Sequence, residues 1–214
     1  MDALDSIVPE GVRARFAPKL VSPGPTLDYP TVRTSARRRE FHDGRALATE
    51  LIAEMGFPAR DILVGAAGEP IWPPGVIGSI SHTSEALAVA VAVDSAYASI
   101  GLDIEFERAV DMDLWPSICS TRELAWLHGL DEPTARIQST LLFSAKESGY
   151  KCQFPLTRQF LEFEQAEIRV DPERHSFAIT FSEHTKIFKL GLNIVGRYLH
   201  TRRHVVTFTW INSH

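Results

Sequence analysis

The first clear pattern of hydrophobic and polar positions along the chain is helical. Between Ala36 and Met55, apolar residues recur at spacings of three, four and seven positions, which places them on one face of a helix. Gly56 and Pro58 follow directly, and both residue types commonly end a helix. The pattern therefore predicts a helix over residues 36–55. Residues 1–33 are rich in Pro and Gly and show little periodicity, so we expect them to lie across the surface.

The rest of the chain alternates between a second helical pattern and short apolar runs. Each run is bounded by turn-forming residues and is apolar or β-branched, which is typical of strands. A second helix is predicted over Gln138–Cys152. The predicted strands are Val76–Ser81, Leu87–Val93, Ser99–Glu105, Ala166–Val170, Ser176–Phe181, Lys186–Leu192 and Val205–Ile211.

A helix followed by strands, twice over, predicts an α+β fold made of two similar halves. We place the joint near residues 106–111, so that the N-terminal half covers residues 1–107 and the C-terminal half residues 108–214. A site that used residues of both halves would lie between them, where binding sites often form.

Composition narrows the class of protein. The chain has 214 residues, of which 44% are hydrophobic, and this is enough for a sizeable core. A net charge of -5 gives no general attraction to nucleic acids or membranes. No apolar run is long enough to span a bilayer, and the acidic start Met1–Ser6 is unlike a signal peptide. Cys119 and Cys152 lack metal-site spacing. We therefore expect a cytoplasmic protein with reduced thiols.

Two segments carry the candidate chemistry. Asp103 and Glu105 alternate along a predicted strand, so their side chains share one face. Glu147 and Lys151 lie one turn apart on a predicted helix, beside Lys146. If strand and helix meet, three carboxylates surround one point, which suits Mg2+ bound together with a phosphate, and the lysines supply charge to that phosphate. Taken singly, each segment is more often a solvated strand edge or a salt-bridged helix surface.

Together, however, these segments favour a functional site, because their order and flanking residues resemble the signature of the 4'-phosphopantetheinyl transferases, in particular the surfactin/enterobactin-type branch. The strand is similar to the family's Gly-x-Asp-x-Glu motif. The helix is similar to its aromatic-(Ser/Cys/Thr)-x-Lys-Glu-(Ala/Ser)-x-x-Lys motif. Further segments match in the family order. The resembling segments are Arg37–Arg45, Gly68–Pro73, Gly78–Thr83, Gly101–Glu105, Phe143–Lys151 and Phe154–Arg158.

The resemblance implies a role for each matching residue. The implied metal ligands are Asp103, Glu105 and Glu147. The implied coenzyme A contacts are Arg37, Arg45, Ser81, His82, Lys146 and Lys151, with His82 on the 3'-phosphate, Ser81 assisting it, and Arg38 as a substitute for its neighbour. The implied catalytic residues are Glu147, Lys151 and Asp103. Glu147, or a water that it orients, would remove the proton of the acceptor hydroxyl, and Lys151, with Lys146 as a second candidate, would stabilise the leaving group.

The resemblance also implies a fold and a reaction. The family branch folds as an intramolecular pseudo-dimer with coenzyme A in the cleft between its halves. The expected reaction is Mg2+-dependent transfer of the 4'-phosphopantetheine arm from coenzyme A to a serine of an apo acyl or peptidyl carrier protein, with release of 3',5'-adenosine bisphosphate. We expect a monomer, because two joined halves complete one site. Two other functions use the same residues: a metal-dependent hydrolase of coenzyme A or nucleotide pyrophosphates, and a non-catalytic coenzyme A-binding protein.

Two features differ from the family or lack a settled role. The loop Ile62–Ala67 has none of the lysines that often reach the coenzyme phosphates. Either its backbone amides suffice, or the arginines at positions 37–39 compensate, or the affinity for coenzyme A is lower than usual in the family. The apolar stretch Met112–Leu130 is a candidate docking surface for the carrier protein, rimmed by basic residues such as Arg122, Arg158 and Arg202. Its apolar residues are equally consistent with packing inside the C-terminal half.

Overall fold

Helices and antiparallel strands make up the part of the chain that the computed structural model describes, residues 3–18, 35–108, 110–191 and 194–213. The helices are α1 (Ser35–Glu54), α2 (Trp115–Ile118), α3 (Thr121–His128), α4 (Glu132–Thr157) and α5 (Lys186–Lys189). The strands are β1 (Arg13–Pro18), β2 (Leu63–Val64), β3 (Pro70–Ile71), β4 (Val76–His82), β5 (Ala86–Val93), β6 (Tyr97–Phe106), β7 (Ala166–Asp171), β8 (Ser176–Phe181), β9 (Val195–His200) and β10 (His204–Asn212).

The strands form two main sheets. One has three strands in the order β1-β5-β4, and the other has five in the order β6-β10-β9-β8-β7. A two-stranded ribbon joins β2 to β3. Helix α1 packs on β4 and β5, whereas α4 packs on β6 and β10. This arrangement of long helices against antiparallel sheets confirms the predicted α+β class.

Helix α1 begins and ends within one residue of its predicted bounds. Its apolar face fits because Leu51 and Ile52 are fully buried against Val89 and Val91 of β5. Helix α4 is much longer than the predicted 138–152. It begins after Asp131, whose carboxylate accepts a hydrogen bond from the Thr134 amide, and this cap makes the first turn favourable.

Two predictions about secondary structure were wrong. Part of the region 1–33 does not simply cover the surface, because β1 pairs with β5 along its whole length and becomes an edge strand of the first sheet. The predicted strand over residues 186–192 begins instead as the short helix α5. The Thr185 side chain accepts a hydrogen bond from the Phe188 amide and so caps this helix, a local signal that outweighs the apolar character of the segment. The strand itself comes later, as β9.

Strand β6 links the two predicted halves. The boundary at residue 107 assigns this strand to the N-terminal half, yet β6 pairs with β10 and lies at the edge of the five-stranded sheet. The division of the chain into 1–107 and 108–214 remains a prediction about folding units. Cys119 and Cys152 are both buried and free. None of the helices in the described ranges is long and apolar enough to cross a bilayer.

Candidate active site

The two acids of β6 lie on one face, as the alternation predicts. Asp103 pairs with Thr207 and Glu105 with Val205 in an unbroken antiparallel register, and the one irregularity of this ladder lies at its far end, between Ile211 and Asn212. A bulge would have turned one of the two side chains away. The regular ladder therefore keeps both carboxylates on the same side of the sheet.

Gly101 explains why the acids and helix α4 come so close together. A Cβ atom at this position would lie 1.9 Å from the Ser148 carbonyl oxygen and 2.9 Å from the Cys152 amide nitrogen. Only a residue without a side chain allows the helix backbone to approach the strand so closely. This contact places the helix turn that carries Glu147 and Lys151 beside Asp103.

Asp103 is the most buried acid of the site, with 2% of its surface exposed. Its Oδ1 accepts hydrogen bonds from Ser81 Oγ at 2.8 Å and from Lys151 Nζ at 2.7 Å. Its Oδ2 is buried and has no hydrogen-bond partner among the described residues. A buried carboxylate oxygen without a partner is costly, so this atom is a candidate ligand for a cation.

Glu105 and Glu147 share the electrostatic environment of Asp103. Burial, followed by the charge of Asp103, raises the pKa of Glu105 from 4.5 to about 8, while Lys151 partly opposes the rise and Glu147 adds to it. Burial also raises the pKa of Glu147, Lys151 opposes this shift, and Asp103 adds to it. The charges of Asp103 and Lys151 therefore act on both glutamates.

The residues present fit a divalent cation that arrives with a phosphate. Among the residues that the structure describes, no group of three His, Cys, Asp or Glu side chains is placed so that it could hold a metal ion by itself. Mg2+ rarely uses such a protein cage, because it keeps several waters and binds one or two carboxylates together with substrate phosphates. The unpartnered Asp103 Oδ2 and the raised pKa of Glu105 are both features that a cation would relieve.

The Lys146 ammonium is bound to protein groups, although the sequence predicted a coenzyme contact for it. Its ammonium donates to Glu123 Oε2 at 2.7 Å and to the carbonyls of Ile118 and Phe163 at 2.8 and 3.0 Å. An ammonium group has three N–H donors, so none is left for a phosphate. Lys146 instead forms a buried ion pair with Glu123 and so links α4 to the segments around it.

The strand β4 carries Ser81 and His82 on opposite faces. Ser81 is buried and turned towards Asp103, whereas His82 is exposed at the end of the strand. Alternation along a strand makes this separation unavoidable for neighbouring residues. The predicted contact of His82 with a phosphate remains a prediction. The Ser81 hydroxyl already forms hydrogen bonds with other groups of the protein. To bind a phosphate together with His82, as predicted, it would have to break them.

The arginines predicted to hold coenzyme A have mixed outcomes. Arg45 is buried, and its guanidinium donates to the carbonyls of Ile62 and Phe41 while lying 3.5 Å from the centre of the Phe41 ring. These contacts are made with other residues of the protein. A contact of Arg45 with coenzyme A remains a prediction. The side chains of Arg37 and Arg38 lie outside the described residues.

The candidate docking stretch 112–130 divides into two groups. Trp115, Ile118 and Leu127 are buried in the core that includes α4, which excludes them from a docking surface. Met112, Leu114 and Trp126 remain between 38% and 50% exposed. Arg122 pairs with Glu167 at 3.4 Å, and Arg158, just after α4, pairs with Glu69 at 2.6 Å.

A cavity of about 360 Å3 opens beside Glu147 and was not predicted from the sequence. Tyr150 forms part of its wall and contacts Phe160 edge-on, with 5.5 Å between ring centres. The sequence held one signal for it, since Tyr150 follows Glu147 by three positions and so lies on the same helix face. The remaining lining residues are Lys146, Leu161, Glu162, Phe163, Ala166 and Phe181.

Comparison with known proteins identifies the family. The model described as "4'-phosphopantetheinyl transferase superfamily" matches residues 99–208, just over half of the 214 residues, and this region includes β6 and α4. The chain belongs to this superfamily. A second model, described as the 4'-phosphopantetheinyl transferase N-terminal domain, matches residues 32–92. The resemblance found in the sequence motifs is thereby confirmed.

The relatives of this chain differ in the share of their own length that it matches. The 4'-phosphopantetheinyl transferase Npt of Nocardia iowensis is 39% identical over 64% of this chain and 61% of its own length. Enterobactin synthase component D of Escherichia coli O157:H7 is 30% identical over 71% of this chain and 74% of its own length. The match covers only 58% to 61% of the transferases from Nocardia, Streptomyces and Mycobacterium.

A solved structure is also similar to this chain. It is a holo-(acyl-carrier-protein) synthase from Bacillus anthracis str. Ames in complex with CoA (3',5'-ADP). It has a TM-score of 0.45 and 19% sequence identity, and the match covers 56% of this chain and 99% of that chain.

Proposed function

We propose that this chain transfers the 4'-phosphopantetheine arm of coenzyme A to a serine of an acyl or peptidyl carrier protein. Membership of the superfamily supports the reaction class. The single observation that carries the proposal is the buried Asp103 carboxylate, which Lys151 holds through Oδ1 while Oδ2 has no described partner. Such an oxygen, among two further acids, suits a Mg2+ ion that binds the coenzyme pyrophosphate.

Bound Mg2+ would neutralise charge on the pyrophosphate, and Asp103, Glu105 and Glu147 are the residues that would hold it. In the transfer, the serine oxygen attacks the phosphorus nearest the pantetheine and forms a new P–O bond. The bond from that phosphorus to the bridging oxygen breaks, and 3',5'-adenosine bisphosphate leaves. Glu147 takes the proton of the serine hydroxyl, directly or through a water.

The environment of Glu147 suits that role. Burial raises its pKa, which makes the carboxylate a stronger base than an exposed glutamate. Lys151 supplies positive charge next to Asp103 and so limits the repulsion between the carboxylates and the incoming phosphates. Lys146, which is bound to Glu123, has no part in this proposed mechanism.

The cavity beside Glu147 supports the choice of substrate. Its walls include four aromatic rings, those of Tyr150, Phe160, Phe163 and Phe181, and it is large enough for a flexible chain of the size of pantetheine. An apolar wall next to the proposed base would hold the arm close to the atoms that react. A hydrolase that acts on nucleotide pyrophosphates in general would have no need of this cavity.

Intact-protein mass spectrometry tests the proposal. The wild-type protein is incubated with coenzyme A, Mg2+ and a panel of apo carrier proteins, and we expect at least one carrier to gain the mass of phosphopantetheine. Cleavage of coenzyme A in the absence of a carrier would instead indicate a hydrolase. Binding of coenzyme A without either reaction would indicate a non-catalytic protein.

Two variants sharpen the test. Glu147→Gln should lower the transfer rate by about 100-fold or more, because the proton acceptor is lost. Glu132→Gln is the matched control, since Glu132 lies on the same helix with its side chain 64% exposed and pairs with Arg136 one turn away. Removal of Mg2+ with a chelator should abolish transfer by the wild type. Full turnover by Glu147→Gln would overturn the proposed role of Glu147.

A further inference from the structure

Strands β4 and β6 lie at the facing edges of two different sheets, yet no ladder between them occurs in the described part of the chain. Side chains make the connection instead. The Ser79 hydroxyl accepts a hydrogen bond from the Leu102 amide at 2.9 Å and donates a longer one to the Leu102 carbonyl at 3.4 Å. The Ser81 hydroxyl accepts one from the Ile104 amide at 3.3 Å. Two serines on one face of β4 therefore bind main-chain groups of β6 along an edge where no described strand pairs with it.

Ser81 differs from Ser79 in what else it binds. Its hydroxyl donates to Asp103 Oδ1 at 2.8 Å and accepts from Lys151 Nζ at 2.9 Å. A hydroxyl has one donor and two acceptor positions, and Ser81 uses all three. Among the described contacts, the Ser79 hydroxyl binds the main chain of Leu102 and neither Asp103 nor Lys151.

We propose that Ser81 is a positioning residue that ties β4 to β6 and fixes the Asp103 carboxylate and the Lys151 ammonium relative to the N-terminal sheet. This inference rests on the proposed function, and it assigns to Ser81 a role inside the protein in place of the contact with coenzyme A that the sequence suggested. Because Ser81 and Lys151 both hold Oδ1, they fix the direction in which the free Oδ2 points. A residue of β4 that binds the coenzyme therefore has a fixed distance to Asp103 while the Ser81 hydrogen bonds are intact.

The chain offers a matched pair of variants. Ser81→Ala removes the hydrogen bond to β6 together with the contacts to Asp103 and Lys151. Ser79→Ala removes the other serine that joins β4 to β6, which has no described contact to the acids. Ser81→Thr keeps the hydroxyl and is the conservative rescue variant. A misplacement of reacting groups by about 1 Å can reduce a rate by about 100-fold. We therefore expect Ser81→Ala to lower kcat by about 10- to 100-fold with little change in the KM for coenzyme A.

Amide hydrogen exchange followed by NMR provides a readout that does not depend on activity. In Ser81→Ala the Ile104 amide should exchange faster, because it loses its acceptor, while in Ser79→Ala the Leu102 amide should do so. Ser79→Ala should keep kcat within about threefold of wild type, and Ser81→Thr should restore most of the activity lost in Ser81→Ala.

The two readouts separate the possible failures. Equal loss of kcat in Ser79→Ala and Ser81→Ala would show that the serine contacts between β4 and β6 have only a structural role, and would overturn the positioning role of Ser81. Unchanged exchange of the Ile104 amide in Ser81→Ala would overturn the tie itself. If the wild type transfers no phosphopantetheine to any carrier, the proposed function fails, while exchange at Ile104 still decides whether Ser81 joins the strands.

Discussion

Lys151 Nζ lies 2.7 Å from Asp103 Oδ1, and this ion pair joins helix α4 to strand β6. Asp103 is almost fully buried, whereas the Lys151 side chain keeps 27% of its surface exposed. The same ammonium also donates to Ser81 Oγ and to the Leu102 carbonyl. The pair therefore connects the helix motif, the strand motif and the serine of β4 at one atom.

Replacing Lys151 with Met should destabilise the protein and abolish transfer. The change leaves the Asp103 charge buried without its cation, and the loss of one partner of a buried pair costs about 3 kcal/mol. Urea unfolding at neutral pH measures the change in the free energy of unfolding. Lys189→Met on α5 is the control, because Lys189 is exposed and should change the stability by less than about 0.5 kcal/mol. Equal stabilities of the two variants would contradict a buried ion pair.

Gly101→Ala should separate α4 from β6. The new methyl group would overlap the Ser148 carbonyl, so we expect a loss of about 3 kcal/mol in stability and a marked loss of activity. Gly129→Ala is the control, since its nearest neighbour would lie 3.4 Å away and its φ of -84° suits any residue. Thermal unfolding of both variants, compared at equal pH, measures the difference. A Gly101→Ala protein as stable as wild type would argue against the close approach.

Glu105 should make the stability of the metal-free protein depend on pH. Its pKa rises from 4.5 to about 8 on folding, so its stabilising contribution is complete below pH 4.5 and is lost as the pH increases through 8. Between about pH 5 and 8, wild type should therefore lose more free energy of unfolding than Glu105→Gln, by about 2 kcal/mol once partial exposure is allowed for. Urea titrations across this interval test the expectation, and parallel curves for the two proteins would refute it.

Phe160→Ala should weaken the interaction with the pantetheine arm while leaving the fold intact, because this ring is 72% exposed and lines the cavity beside Glu147. Loss of an aromatic contact is worth about 1 kcal/mol, so the KM for coenzyme A should rise by about fivefold. The affinity for 3',5'-adenosine bisphosphate, which lacks the arm, should not change. Phe188→Ala removes an exposed ring that does not line the cavity and serves as the control. An equal loss of affinity for both ligands would exclude this cavity as the binding place of the arm.

The local sequence pattern was sufficient to predict the elements that carry the site. Alternation fixed Asp103 and Glu105 on one face of a strand, and helical spacing aligned Glu147 with Lys151, because strand and helix geometry follow from the backbone alone. The α+β class followed from the order of helices and strands. The extent of α4 and the identity of α5 were missed, because single caps such as Asp131 and Thr185 decide where a helix begins.

What the sequence could not determine is which partner each polar side chain meets. Lys146 and Lys151 occupy the same motif, yet the first is buried against Glu123 and the second reaches Asp103. Ser81 and His82 are neighbours, yet one is enclosed at the seam and the other is exposed. The sequence by itself determined the chemistry of the motifs and the face on which each residue lies. Only the tertiary structure decided which surface that face packs against, because packing joins residues whose separation along the chain carries no periodic signal.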